Sequence, residues 1–304
     1  MRISISYLYT ISKYGYPHSV DDALKSFSEL QQLGFHFIEM EGLGRKNLEE
    51  VYKRRKEIRQ VLDDNGLHVH NFCVVDPDMT NLDAEIRNAA LDRFRMGCEI
   101  AALLDTETLH LASYSPPVNY LQAAPYQLSG DAYKFENVTR LRLPKGFEWE
   151  KVWEALVSSA RFCADVAAEY TRTVLMEPRI GEVICSVDSL LRLIEHVDRP
   201  NLKANLDTAH FSAQRENVVL SVAKLKGHFA NVHVADNDPS NSEHIAIGDG
   251  TIDWKEFLLT LHRSGYTGYL GLDLRASEHL VDEYKRSAAR LHEMGKELDI
   301  PMES

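Results

Sequence analysis

Cysteine is scarce in this chain. Cys73, Cys98, Cys163 and Cys185 are the only four in 304 residues, and none forms a C-x-x-C pair. Isolated cysteines in a large chain read as reduced core thiols, which argues against a disulfide scaffold or a thiolate metal cage. No apolar run approaches the ~18 residues of a membrane span. The N-terminal MRISISYLYT lacks the basic and apolar regions of a secretory leader, so a cytoplasmic protein without a membrane partner is expected. Positive charge is also short: 34 Lys and Arg face 46 Asp and Glu, a formal net charge of −12. That balance repels phosphate backbones and argues against nucleic acid as a partner. There is no Ser/Gly/Pro-rich linker, no P-loop and no G-x-S-x-G elbow. The turn after the first strand-like run, YTISKYGY (Tyr9–Tyr16), lacks the G-x-G-x-x-G of a dinucleotide fold.

What is present is an alternation. Short β-branched or apolar runs occur at Ile3–Leu8, Phe35–Met40, Leu67–Val74, Thr108–Ala112, Thr173–Met176, Leu202–Leu206, Phe229–Val234 and Tyr269–Leu272. Longer amphipathic stretches separate them, among them Val20–Leu33, Leu48–Asn65, Ala84–Leu104 and Trp153–Tyr170. Gly34, Gly66 and Gly265 each stand where a helix must stop before the next strand. Strands alternating with helices imply right-handed crossovers and a parallel sheet. Eight such units predict an α/β fold, a single-domain (β/α)8 TIM barrel over residues 1–304. One connection breaks the rhythm. Residues 113–150 lack a helical period but carry Tyr114, Tyr120, Tyr126, Tyr133 and Phe135. Long loops of this kind are usually functional, and their aromatics argue against disorder, so a lid or an oligomer contact is expected.

Four residues that bind metals well stand late in four successive strand runs: Glu177, Asp207, His233 and Asp273. Barrel enzymes draw their reactive groups from the ends of several strands. Three carboxylates and one imidazole suit one hard divalent ion, Mn2+ first, with Mg2+ or Co2+ as alternatives. Each residue alone also has a plain reading: Asp207 as a helix cap, His233 as a core histidine, Asp273 as half of an ion pair. Their common placement favours the metal. Lys203 shares parity with Asp207 and is expected in a buried ion pair, while Gly42-Leu43-Gly44-Arg45 reads as a plain turn.

The segments Met176-Glu177-Pro178, Asn205–His210 (NLDTAH), Asn231–Asp236 (NVHVAD) and His244–Trp254 (HIAIGDGTIDW) resemble the xylose-isomerase-like TIM-barrel superfamily, as does Gly34–Glu39 (GFHFIE). That superfamily includes sugar isomerases and epimerases, inosose dehydratases and the more distant endonuclease IV. The resemblance implies that Glu177, Asp207, His233 and the strand-eight acid hold the ion. It further implies that His210 touches a substrate hydroxyl and that His244 lies at the mouth. The acids on strands five and eight, here Glu177 and Asp273, would move protons beside a carbonyl through an enediolate. The family pattern has glutamate on strand eight, so Asp273 is one methylene short and its reach as a base is reduced. Arg179 would bind substrate or neutralise the acids, and His70 and His110 would line the pocket. Endonuclease IV chemistry would also recruit histidines from strands two to four, such as His68, but the acidic balance opposes it.

The sequence therefore predicts a metal-dependent isomerase or epimerase of a ketose or keto-sugar. One alternative is a dehydratase or lyase acting on a keto-sugar, keto-cyclitol or oxidised glycoside. A second is a non-catalytic sugar-binding or assembly subunit. A homo-oligomer is expected, with a separate partner subunit as a further option.

Overall fold

A computed structural model of the chain describes residues 1–121, 140–238 and 243–304. Most of the expected lid or oligomer contact, with Tyr126, Tyr133 and Phe135, lies outside the described residues. Eight parallel strands close into a barrel in sequence order. They are β1 (Arg2–Ile5), β2 (Phe37–Leu43), β3 (His68–Val75), β4 (Thr108–Ala112), β5 (Thr173–Glu177), β6 (Leu202–Asp207), β7 (Phe229–Val234) and β8 (Tyr269–Leu272). A separate two-stranded antiparallel ribbon pairs Asn119–Tyr120 with Leu141–Arg142. Among the described residues, no helix is long and apolar enough to cross a membrane.

The expected strands and helices hold with local exceptions. The first strand stops at Ile5 because the Ser6 hydroxyl accepts a hydrogen bond from the Leu8 amide and starts a helix, Leu8–Tyr14. Gly44 opens the helix Gly44–Asn65, four residues ahead of the expected start, and Gly66 ends it with φ at +62°. The helix expected at Trp153 begins at Trp149, so the irregular connection ends earlier than residue 150. Lys203 makes no buried ion pair. Its ammonium lies at the exposed end of β6, on the Gly227 carbonyl at 2.9 Å. A register shift between Ala204 and Asn205 breaks the alternation from which its direction was inferred.

The apolar core lies between the barrel and its helices, with Phe27, Phe72, Phe94, Phe211 and Phe257 almost fully buried. The inside of the barrel is polar by contrast. Ser4, Glu39, His70, Asn205, Asn231 and His233 are all buried there; Ser4 bonds to His70, Glu39 to Asn231 and His233, and Asn205 to Glu177. Burying so many polar groups is tolerable only when they satisfy each other. The stabilising apolar contacts therefore sit outside the sheet, and the inside is left for chemistry. Phe94→Ala, on the helix Ala84–Leu104, should lower stability by about 3–5 kcal/mol. A fall in the urea midpoint with an unchanged slope of the transition would show that the outer layer carries the fold.

Candidate metal centre and active site

Glu177 ends β5, Asp207 ends β6, His233 lies in β7, and Asp273 follows β8 by one residue. All four are buried at the mouth of the barrel. Potential ligand atoms of Glu177, Asp207 and His233 lie within 4.8 Å of one another, as do those of Asp207, His210 and His244. His233 Nδ1 stands 3.0 Å from Glu177 Oε1, 3.8 Å from Asp207 Oδ2 and 3.9 Å from Asp273 Oδ1.

The hydrogen bonds reveal what this cluster is built for. His233 Nε2 donates to Glu39 at 2.9 Å, so the lone pair of a neutral imidazole would sit on Nδ1 and face the three acids. Nδ1 and Asp207 Oδ2 are both sealed from solvent and make no hydrogen bond. The short Nδ1–Glu177 separation is not directed like a hydrogen bond; the two atoms stand side by side. Adjacent ligands on a hard divalent ion with bonds near 2.1 Å lie about 3 Å apart, which this spacing matches. Buried polar atoms are seldom left unpaired, so two of them beside carboxylates fit a cation. The donor set, oxygen-rich with one imidazole, fits it chemically too.

Asp207 reconciles two readings. Its Oδ1 caps the short helix Thr208–Ala213 by accepting from the His210 amide at 2.8 Å, which leaves Oδ2 for the centre. Glu177 Oε1 accepts from Asn205 at 2.6 Å, and its Oε2 pairs with the Arg179 guanidinium. Arg179 also donates to the Tyr7 hydroxyl at 2.6 Å. Burial alone would raise the Glu177 carboxyl, but Arg179 and His110 hold it well below the usual range. Burial, against the pull of His233 and His244, lifts Asp273 to about 6. The Ser6 hydroxyl donates to Asp273 Oδ1, and Oδ2 lies 3.3 Å from His244 Nε2.

The remaining sequence candidates separate by depth. The His210 and His244 rings meet edge to face at 4.8 Å beside Asp207. His110 Nε2 lies 3.5 Å from Glu177 Oε2. His70 is not brought to the ligands: it bonds to Ser4 at 3.0 Å and stacks on Tyr269 at 3.8 Å, beneath Glu39. His68 lies farther down, on Glu107 at 3.0 Å.

Sequence reasoning left Glu39 as a family marker and gave Asp236 no role. Glu39 is fully buried, and burial would raise it, but His233 holds its carboxyl at about 2. Such a carboxylate behind a ligand histidine fixes ring orientation and basicity. Asp236 accepts from the Asn237, Gly248 and Ile252 amides and from the Trp254 indole, at 2.7 to 3.2 Å. This explains the spacing of Ile-Gly-x-Gly-x-Ile-Asp-Trp. A Cβ at Gly250 would press on the Asp236 carboxylate and lie 2.6 Å from Asn237 backbone atoms. The folded loop holds His244 at φ +52°, a conformation that costs a non-glycine residue energy unless its surroundings enforce it. The signal for Asp236 was the motif itself, read as a marker rather than as a hydrogen-bond hub.

Two outcomes are expected here. Glu39→Gln should weaken divalent-ion affinity by about 10–100-fold, measured by competition with a fluorescent chelator. Gly250→Ala should lower stability by about 1–3 kcal/mol in thermal unfolding, because the clash is with backbone.

Comparison with known proteins agrees with this architecture. The 2-oxo-tetronate isomerase of Haemophilus influenzae is 28% identical over 138 residues, 44% of this chain and 52% of that protein. The chain thus spans about half the length of the curated relatives it matches. A D-tagatose 3-epimerase-like protein superposes with a TM-score of 0.73 at 19% identity, covering 98% of both chains. The 3-keto-D-glucoside 4-epimerase of E. coli superposes with a TM-score of 0.73 at 19% identity, covering 96% of this chain and 99% of that one. At such identities the superpositions establish the fold alone. The sequence itself matches the family described as xylose isomerase-like TIM barrel over residues 27–294, and the chain belongs to that family.

Proposed function

We propose that this protein is a divalent-metal-dependent isomerase or epimerase that shifts a proton beside the carbonyl of a ketose or keto-sugar. The observation that carries the reading is the pair of sealed atoms without a hydrogen bond, Asp207 Oδ2 and His233 Nδ1, beside Glu177; the nearest cationic group to Asp207 Oδ2 among the described residues is His244 Nε2 at 3.4 Å. Glu177, Asp207, His233 and Asp273 would hold the ion, Mn2+ foremost. A bound ion would supply Lewis acidity toward a carbonyl and its neighbouring hydroxyl. Glu177, kept ionised by Arg179, is suited to take the proton from the carbon beside the carbonyl. Asp273, raised to about 6 by burial, completes the group of acids around His233. His210 and His244 border Asp207 and would contact substrate hydroxyls. Arg179 serves Glu177, and His110 forms the wall beside it.

A lyase or dehydratase is the second reading, favoured by Asp273 itself. Its Oδ1 is tied to Ser6, and its side chain is short, which suits a reaction with one base. The retained ligand set argues against a non-catalytic subunit, which would have no need of sealed, unpaired ligand atoms.

Purified protein should carry about one divalent ion per chain by elemental analysis, and Asp207→Asn should lose it. With ion restored, Glu177→Gln should lower ketose turnover by about 10²–10⁴-fold while the fold is kept. Failure of the wild type to take up Mn2+ even in excess would sink the metal reading.

A further inference from the structure

The metal-centred residues come from β5–β8, one side of the closed barrel. Epimerisation needs a proton-transfer group on each face of the reacting carbon, and Asp273 is short and tied to Ser6. The opposite wall carries an unassigned acid. Glu41 stands two residues after Glu39 on β2, past the register shift at Ile38/Glu39, so it points inward one layer nearer the mouth. Its side chain is 2% exposed, and Oε1 lies 2.9 Å from His18 Nε2.

The hydrogen bonds of His18 fix how this pair works. Nδ1 is 3.1 Å from the Ser19 carbonyl, an acceptor only, so Nδ1 carries a hydrogen and donates. An imidazolium then donates from both nitrogens, and Oε1 stays occupied whether or not Glu41 is protonated. Oε2 has no hydrogen bond among the described residues. Arg179, Asp273, Cys73 and Tyr16 are the other polar groups around the carboxyl. Burial raises the Glu41 carboxyl, against the pull of His18. In the ring of eight strands β2 lies opposite β6, so an inward Glu41 faces the mouth from the wall across from Asp207.

We propose that Glu41 is a catalytic residue, the proton-transfer group for the substrate face opposite Glu177, with His18 as its positioning residue. The inference rests on the isomerase or epimerase reading above. From one epimer, Glu177 takes the carbon-bound proton, and the C–H electron pair passes into the enediolate. Glu41 then gives its Oε2 proton to the opposite face, so one C–H bond breaks and one forms. From the other epimer Glu41 is the base and Glu177 the donor. Exchange with water resets both carboxyls.

The test uses the full chain loaded with Mn2+, in D2O, with D-fructose, D-tagatose and the C3 epimer of each. Proton NMR follows loss of the C3 hydrogen, and chromatography follows the epimer formed. Glu41→Gln should cut interconversion by about 100-fold or more, yet keep C3 exchange from one epimer and lose it from the other. Metal content and melting temperature should match wild type. His18→Gln should show the same one-sided loss more weakly, and it decides the matter if Glu41→Gln does not fold. If exchange from both epimers falls equally, or from neither, Glu41 is a structural residue and the proposal is overturned while the isomerase reading stands. If wild type exchanges none of these ketoses, the isomerase reading fails on them and this role for Glu41 falls with it.

Discussion

The pairing of Glu39 with His233, 2.9 Å apart and fully buried, is the constraint on which the rest of the barrel interior depends. A carboxylate and an imidazole taken out of water lose several kcal/mol of solvation each, which only close contact and further hydrogen bonds can offset. Asn231 gives Glu39 one such bond at 2.8 Å, and His70 stands 3.7 Å away. The contact spans the barrel from β2 to β7, so it also sets the distance between those walls. By taking the Nε2 hydrogen it turns Nδ1 toward Glu177, Asp207 and Asp273. One electrostatic contact thus orients a ligand and fills the barrel.

The second dependence runs from the loop after β7. Its Asp236 gathers three amides and an indole, which ties the described parts of the connection together beside the isolated bridge of Asp236 with Ile245. The backbone bond from Arg275 to the His244 carbonyl, 3.0 Å, closes the loop on the segment after Asp273. The position of His244 therefore follows from Asp236 and Gly250, which lie outside the ligand cluster. Sequence spacing in this motif is a record of hydrogen-bond geometry.

Much of this was legible in the chain. The repeat of strand runs and glycine-ended helices gave the barrel, because each unit is specified locally. The meeting of Glu177, Asp207, His233 and Asp273 at the mouth could be expected because a barrel strand delivers its last inward residue there, a rule that needs no tertiary knowledge. Two kinds of feature escaped. Contacts across the barrel, such as Glu39 with His233 or Arg179 with Tyr7, join residues 194 and 172 positions apart and leave no local pattern. Breaks in alternation escaped as well: the shift in β6 sent Lys203 to the rim. Arg179 shows the limit most plainly, since an arginine two residues after an acid is equally consistent with substrate binding and with neutralising that acid, and its bonds to Glu177 and Tyr7 leave no trace in the local sequence.

The short acid on β8 has a structural counterpart. Aspartate brings its carboxyl one methylene less far into the mouth than glutamate would, and the Ser6 hydroxyl from the end of β1 holds it there. With Oδ1 on Ser6 and Oδ2 near His244, neither oxygen is free to swing across a substrate. Asp273 is therefore placed to complete a ring of ligand atoms, and less well placed to act on the substrate's far face. On the proposed reading, chemistry on that face is either given up or moved to another wall. The inward, half-bonded Glu41 on β2, directly across from β6, gives the second course a physical basis.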